Sequence, residues 1–158
     1  MTAFVEGVHY RQLGREGGRY RFETLETIRV KLKWRVPAIK FLHRGVEWLR
    51  FKDGYAVISA GYRWNGCSPK RWVPIFGWVG TPDPPKSRLG SLVHDALYQF
   101  SPTKHFPLRR DQADETFLDL MECSGFRWAG LYHGAVQDCG GAFWQKRDPE
   151  LESELLPV

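Results

Sequence analysis

Cysteine is scarce in this chain of 158 residues: Cys67, Cys123 and Cys139 stand far apart, with no Cys-x-x-Cys pair. A zinc ribbon needs paired thiolates at short spacing, and a stapled secreted fold needs a denser, even set. Both are excluded, and reduced thiols are expected. Long apolar runs are missing too. No stretch approaches the roughly 20 apolar residues that span a bilayer. The opening Met1-Thr2-Ala3-Phe4-Val5-Glu6-Gly7 has no basic start followed by an apolar core, so no signal peptide is expected and synthesis in the cytosol is. No internal repeat or low-complexity tract appears.

Aromatic residues are plentiful instead: 7 Trp, 6 Tyr and 10 Phe make 15% of the chain. With 42% hydrophobic and 26% charged residues, the chain can bury a core, and its length suits one domain. Lys and Arg number 23 against 18 Asp and Glu, a formal net charge of +5. Such an excess suits a solvated basic surface; an anionic partner could also use it, and charge alone does not choose.

The hydropathy pattern predicts an α+β fold: an N-terminal antiparallel sheet, a long aromatic and Pro-rich loop, and a C-terminal three-helix bundle. Residues 1–64 read as mainly strands, 65–87 as the loop, 88–146 as helices and 147–158 as a charged, peripheral tail. From Ile28 to Val36, Ile28, Val30, Leu32, Trp34 and Val36 alternate with Arg29, Lys31, Lys33 and Arg35, the period of a half-buried strand with a solvated cationic face. Such a ladder lacks the interleaved aromatic platform of a nucleic-acid groove, so nucleic acid is not an expected partner. Asp53-Gly54 between two apolar runs signals a hairpin. Pro74, Pro82, Pro84 and Pro85 bar a helix from 65–87. Helices are expected over Ser87–Phe100, Leu108–Ser124 with Gly125 as its C-terminal cap, and Phe126–Trp144, where Gly130 and Gly134 lie one turn apart.

Candidate chemistry concentrates on the first two helices. At about 100° per residue, His94 and Tyr98 share a face away from the apolar stripe of Leu89, Leu92, Val93, Ala96, Leu97 and Phe100, continued backwards by Ser87 and Ser91. Asp95 projects elsewhere. Asp114 falls inside the stripe made by Ala113, Phe117 and Met121. A carboxylate there must find a partner, since burying it alone is costly, and His94 and Arg110 are the candidates. An Asp accepting from an imidazole fixes its tautomer and raises its basicity, as a general base requires; the same pair can equally be a structural brace between helices. Trp72, Phe76 and Trp78 beside Lys70 and Arg71 suit docking on a lipid or protein surface, or a lid packed over the core.

Trp64-Asn65-Gly66-Cys67-Ser68-Pro69, Leu92-Val93-His94-Asp95-Ala96-Leu97-Tyr98 and Arg110-Asp111-Gln112-Ala113-Asp114-Glu115-Thr116-Phe117 occur in that order, followed by Tyr132–Gly140. Together they resemble the signature of a phage and prophage family, domain of unknown function 1353, over residues 55 to 141. The resemblance implies a viral or prophage origin and brings no activity. A basic, aromatic-rich chain with no export signal suits a virion-associated protein of the tail or neck, made in the host cytoplasm, with other phage structural proteins as expected partners. His-Asp-x-x-Tyr on one helix with an Asp on a second is also similar to the phospholipase A2 enzymes. That similarity implies that His94 activates water, that Asp114 and Tyr98 orient it, and that Asp95 binds calcium. It would set Asn65, Gly66 and Ser68 in a metal- or oxyanion-binding loop. The expectation is therefore a hydrolase of a host-envelope ester or amide; the alternative is a non-catalytic component of the particle.

Overall fold

A computed structural model describes residues 8–66, 70–73, 77–80 and 85–157, with backbone pairing alone for the two short stretches at 70–73 and 77–80. The fold is α+β, with antiparallel sheets followed by three helices. A three-stranded sheet joins β1 (Tyr10–Gln12), β2 (Phe22–Thr24) and β7 (Arg63–Trp64) in the order β1-β2-β7. A five-stranded sheet runs β10-β4-β5-β6-β3, from β3 (Ile28–Lys31), β4 (Ile39–His43), β5 (Val46–Lys52), β6 (Tyr55–Ile58) and β10 (Leu151–Leu155). A hairpin of β8 (Lys70–Val73) and β9 (Gly77–Gly80) stands apart.

Turn chemistry fixes the register of the larger sheet. Asp53 and Gly54 both have left-handed backbones (φ 53° and 79°) and join Lys52 to its partner Tyr55. Arg44 and Gly45 (φ 53° and 75°) do the same between His43 and Val46. Two consecutive positive φ values give the turn whose twist matches a hairpin. Along β3, Ile28 and Val30 are buried while Arg29 and Lys31 face solvent, as the alternation predicts. The strand ends at Lys31 rather than Val36 because its partner runs out: Lys31 pairs with Tyr55, and Leu32 N–H reaches Gly54 O across the turn.

One face of this sheet and the first helix make the core. Ile39, Phe41, Leu49, Phe51, Ala56 and Ile58 are fully buried, as are Leu92, Val93, Ala96, Leu97 and Phe100 of α1 (Arg88–Phe100). A second cluster of Phe117, Met121, Phe126, Ala129 and Tyr132 joins α2 (Arg110–Cys123) to α3 (Ala129–Cys139). Gly125 (φ 67°) closes α2 as expected, with Phe126 N–H returning to Met121 O, a Schellman pattern.

Three further expectations need correction. The tail is a sheet edge: Leu151–Leu155 pairs antiparallel with β4, Leu151 opposite His43 and Leu155 opposite Ile39. Its Leu-Glu-Ser-Glu-Leu alternation is a strand pattern, and its exposed charges, with Glu154 2.8 Å from Lys40, suit an edge. Secondly, α3 is shorter than 126–144, stopping at Cys139 before a 3-10 turn over Gly140–Ala142. Thirdly, the 65–87 segment holds the β8–β9 hairpin instead of unpaired loop throughout, with Trp72 and Trp78 opposite each other in register. Phe76 lies outside the described residues.

Candidate functional site

Helices α1 and α2 pack closely where α1 carries a glycine: a Cβ on Gly90 would stand 3.0 Å from Met121 Cγ and 3.1 Å from Phe117 Cδ2. That approach, one turn before His94, brings the polar face of α1 onto the stripe of α2. Asp114 is 2% exposed and His94 8%. His94 Nε2 lies 2.9 Å from Asp114 Oδ1, and the Tyr98 hydroxyl donates to the same oxygen at 2.6 Å. Arg110 was the other candidate partner and is present too, its Nε 3.7 Å from Asp114 Oδ2 and donating to the Tyr98 hydroxyl at 3.3 Å. The guanidinium also donates to Val136 O and Gln137 O near the end of α3, where a cation suits the helix dipole. One arginine thus ties the three helices together at the dyad.

Electrostatics select the proton positions. Burial holds the His94 imidazole below the ordinary value of 6.5; Asp114 opposes that shift, while Arg110 and His133 add to it. The ring is therefore neutral at pH 7. The Tyr98 hydroxyl is pushed upward, first by burial and then by its bond to Asp114, so it remains a donor. A neutral imidazole facing an ionised carboxylate puts its one N–H on Nε2, as donor, and leaves the lone pair on Nδ1. Nδ1 has no hydrogen-bond partner among the described residues and is not a sealed polar atom. The rings of Tyr98 (centroids 4.1 Å) and Phe117 (4.9 Å) clamp the imidazole.

His94 opens onto a cleft of about 820 Å³. Asn65 and Gly66 form part of its wall, because Trp64 at the end of β7 donates from Nε1 to Ser91 Oγ on α1 at 3.2 Å. Gly66 has a left-handed backbone (φ 79°) just past that strand. Asp95 also lines the cleft, half-buried and engaged with a neighbour. Ser68 lies outside the described residues. Five of the expected residues therefore converge on the dyad or the cleft near it: His94, Asp114, Tyr98, Arg110 and Asp95, with Asn65 and Gly66 on the wall.

Sequence reading missed Gly140, where a Cβ would fall 2.6 Å from the Tyr98 hydroxyl. It also missed Arg19, Lys146 and Arg147 at the cleft. The Gly140-Gly141 pair was the available signal for the first; the others are surface cations with no sequence signature.

No family model, curated protein or solved structure matches this chain. The site is therefore read from its own geometry. Calcium takes six to eight oxygen ligands; at Asp95 the described cleft wall offers its own carboxylate with Asn65 and Gly66. Among the described residues, the His, Cys, Asp and Glu side chains that converge closely enough for a metal are His43, Asp148 and Glu150, a different group from the one Asp95 belongs to. No helix among the described residues is long and apolar enough to cross a membrane.

Proposed function

We propose that this protein is a small hydrolase in which His94 is the general base for attack of water on an ester or amide. The observation that carries the reading is one imidazole that lines the cleft, with Nε2 on Asp114 Oδ1 at 2.9 Å and Nδ1 without a hydrogen-bond partner among the described residues. In the reaction, Nδ1 takes a proton from water as the water oxygen bonds to the acyl carbon. The bond from that carbon to the leaving oxygen or nitrogen then breaks, and the imidazolium returns the proton to the leaving group. Acid and alcohol, or acid and amine, are the products. Asp114 stabilises the imidazolium and Tyr98 holds Asp114 in place; both are positioning residues. Arg110 holds Tyr98 in turn.

The setting we propose is a phage particle, with a host-envelope component as substrate and other particle proteins as partners. What supports it is the resemblance of the Trp64–Pro69, Leu92–Tyr98 and Arg110–Phe117 segments. The aromatic segment around Trp72, Phe76 and Trp78 is the part proposed to meet a lipid surface. The competing reading, a structural brace, draws support from the burial of Asp114 and the three-helix reach of Arg110. Replacing His94 by Asn separates the two. Loss of ester and amide turnover with little change in melting temperature supports the hydrolase. A large drop in melting temperature, with no turnover in the wild type against lipid and peptidoglycan substrates, leaves the brace.

A further inference from the structure

The mouth of the His94 cleft is cationic, and three of its cations are not held by acids among the described residues. Arg19, Arg63, Lys146 and Arg147 line it, against the carboxylates of Asp95 and Asp148. Arg63 is committed to Glu23 at 2.7 Å. Asp148 accepts from Glu150 N–H at 3.0 Å and lies 3.9 Å from His43, and Asp95 has a neighbour of its own. Arg19, Lys146 and Arg147 have no carboxylate within ion-pairing distance among the described residues.

These groups are also placed. Arg19 lies over the Tyr20 ring, 5.0 Å from its centroid, and donates from one nitrogen to the Tyr20 hydroxyl at 2.8 Å, which leaves other donors of its fork unused. Lys146 and Arg147 follow Gln145, which takes a left-handed backbone (φ 54°) and donates its N–H to Ser101 Oγ at 2.7 Å. That contact anchors the segment over the end of α1. Deeper in, Phe117, Ala135 and Val136 give the cleft an apolar wall beside His94. A volume of about 820 Å³ is in the range of small-molecule sites.

We infer that the substrate carries a negatively charged group, carboxylate or phosphate, recognised by Arg19, Lys146 and Arg147 while its acyl part lies on the apolar wall against His94. The inference rests on the hydrolytic reading. Guanidinium groups bind carboxylate and phosphate in paired geometry, and unpaired cations at a cleft mouth raise the local concentration of anions.

The test compares 4-butyryloxybenzoate with neutral 4-methylphenyl butyrate, each of which offers one scissile butyryl ester. We expect kcat/KM to favour the charged ester by about tenfold, the worth of one modest charge contact, with the preference shrinking as salt is added. The double variant Lys146→Ser with Arg147→Ser should lose most of that preference. Should it fold poorly, Arg147→Gln alone should lose part of it. Equal handling of the two esters by an active wild type overturns the inference and leaves the hydrolase standing. If neither ester is cleaved, calorimetric binding of the charged ester but not the neutral one supports anion recognition while removing the hydrolase. Cosedimentation with phosphatidylglycerol and phosphatidylcholine vesicles identifies the source of the anion. Where the charged ester is preferred, a matching preference for phosphatidylglycerol vesicles points to a headgroup and its absence to a free small molecule; the lack of any preference for the charged ester overturns the inference.

Discussion

Replacing Gly140 by Ala should loosen the dyad from outside it. Gly140 has an ordinary helical backbone (φ −72°), so alanine meets no backbone strain there. By itself the change should stabilise by about 0.4–1 kcal/mol, by restricting the unfolded chain. Its Cβ, however, would fall 2.6 Å from the Tyr98 hydroxyl and 3.3 Å from a terminal nitrogen of Arg110. The hydroxyl cannot yield cheaply, being bonded to Asp114 at 2.6 Å and to Arg110 at 3.3 Å. Shifting it by several tenths of an ångström forfeits much of a bond to a charged acceptor, worth about 1.5–3 kcal/mol. The net result is destabilisation by about 1–2 kcal/mol. With a urea slope of about 2 kcal/mol/M, the midpoint should fall by about 0.5–1 M. Two controls isolate the cause. Gly134 has open space at its Cβ, so Gly134→Ala should hold or raise the midpoint. In a Tyr98→Phe background the hydroxyl is gone, and Gly140→Ala should cost little. A Gly140→Ala protein as stable as the wild type, or a penalty unchanged by Tyr98→Phe, would refute the packing assigned to this site.

Further outcomes follow from the same contacts. Asp114→Ala strands the His94 Nε2–H and the Tyr98 hydroxyl, and each orphaned buried donor costs about 1–3 kcal/mol. Asp114→Asn keeps an acceptor and should cost less in urea denaturation, while turnover still falls because the imidazolium loses its counter-charge. Because burial lowers the folded pKa of His94 below 6.5, the unfolded chain takes up that proton first as pH falls. This contribution to stability is whole above about pH 6.5 and is lost progressively as pH drops toward the folded value. The acid limb of kcat/KM should accordingly titrate below 6.5, and melting curves across pH 5–8 should decline in the same window. Truncation after Pro149 removes the strand paired with β4 and bares an apolar sheet edge. Self-association should rise in sedimentation velocity.

The dyad was legible because helical geometry is strict. Asp114 shares a stripe with Phe117 and Met121, and a carboxylate in such a place requires a partner. Tyr98 one turn beyond His94 followed from the same period. The Asp53-Gly54 hairpin and the Gly125 cap were legible from local backbone demands. What escaped depends on distant pairing. Nothing local marks Leu151–Leu155 as a partner for β4, since its strand character needs an edge about 110 residues earlier to become visible. The end of α3 was hidden for a similar reason. Phe143 continues the helical spacing of Tyr132, Val136 and Cys139, but Gly140 and Gly141 yield space to the Tyr98 hydroxyl and the Arg110 guanidinium, a constraint imposed from the other two helices. The cationic mouth is gathered from residues 19 and 146–147, and only folding brings them to one opening.

Nitrogen-15 NMR of the His94 ring reads the central claim most directly, through its tautomer and its titration. The account predicts a neutral ring at pH 7 with hydrogen on Nε2 and a bare Nδ1, titrating below 6.5, and with Nδ1 shifting when an ester analogue enters the cleft. A ring charged at pH 7, or one with its proton on Nδ1 and no response to cleft ligands, would contradict it.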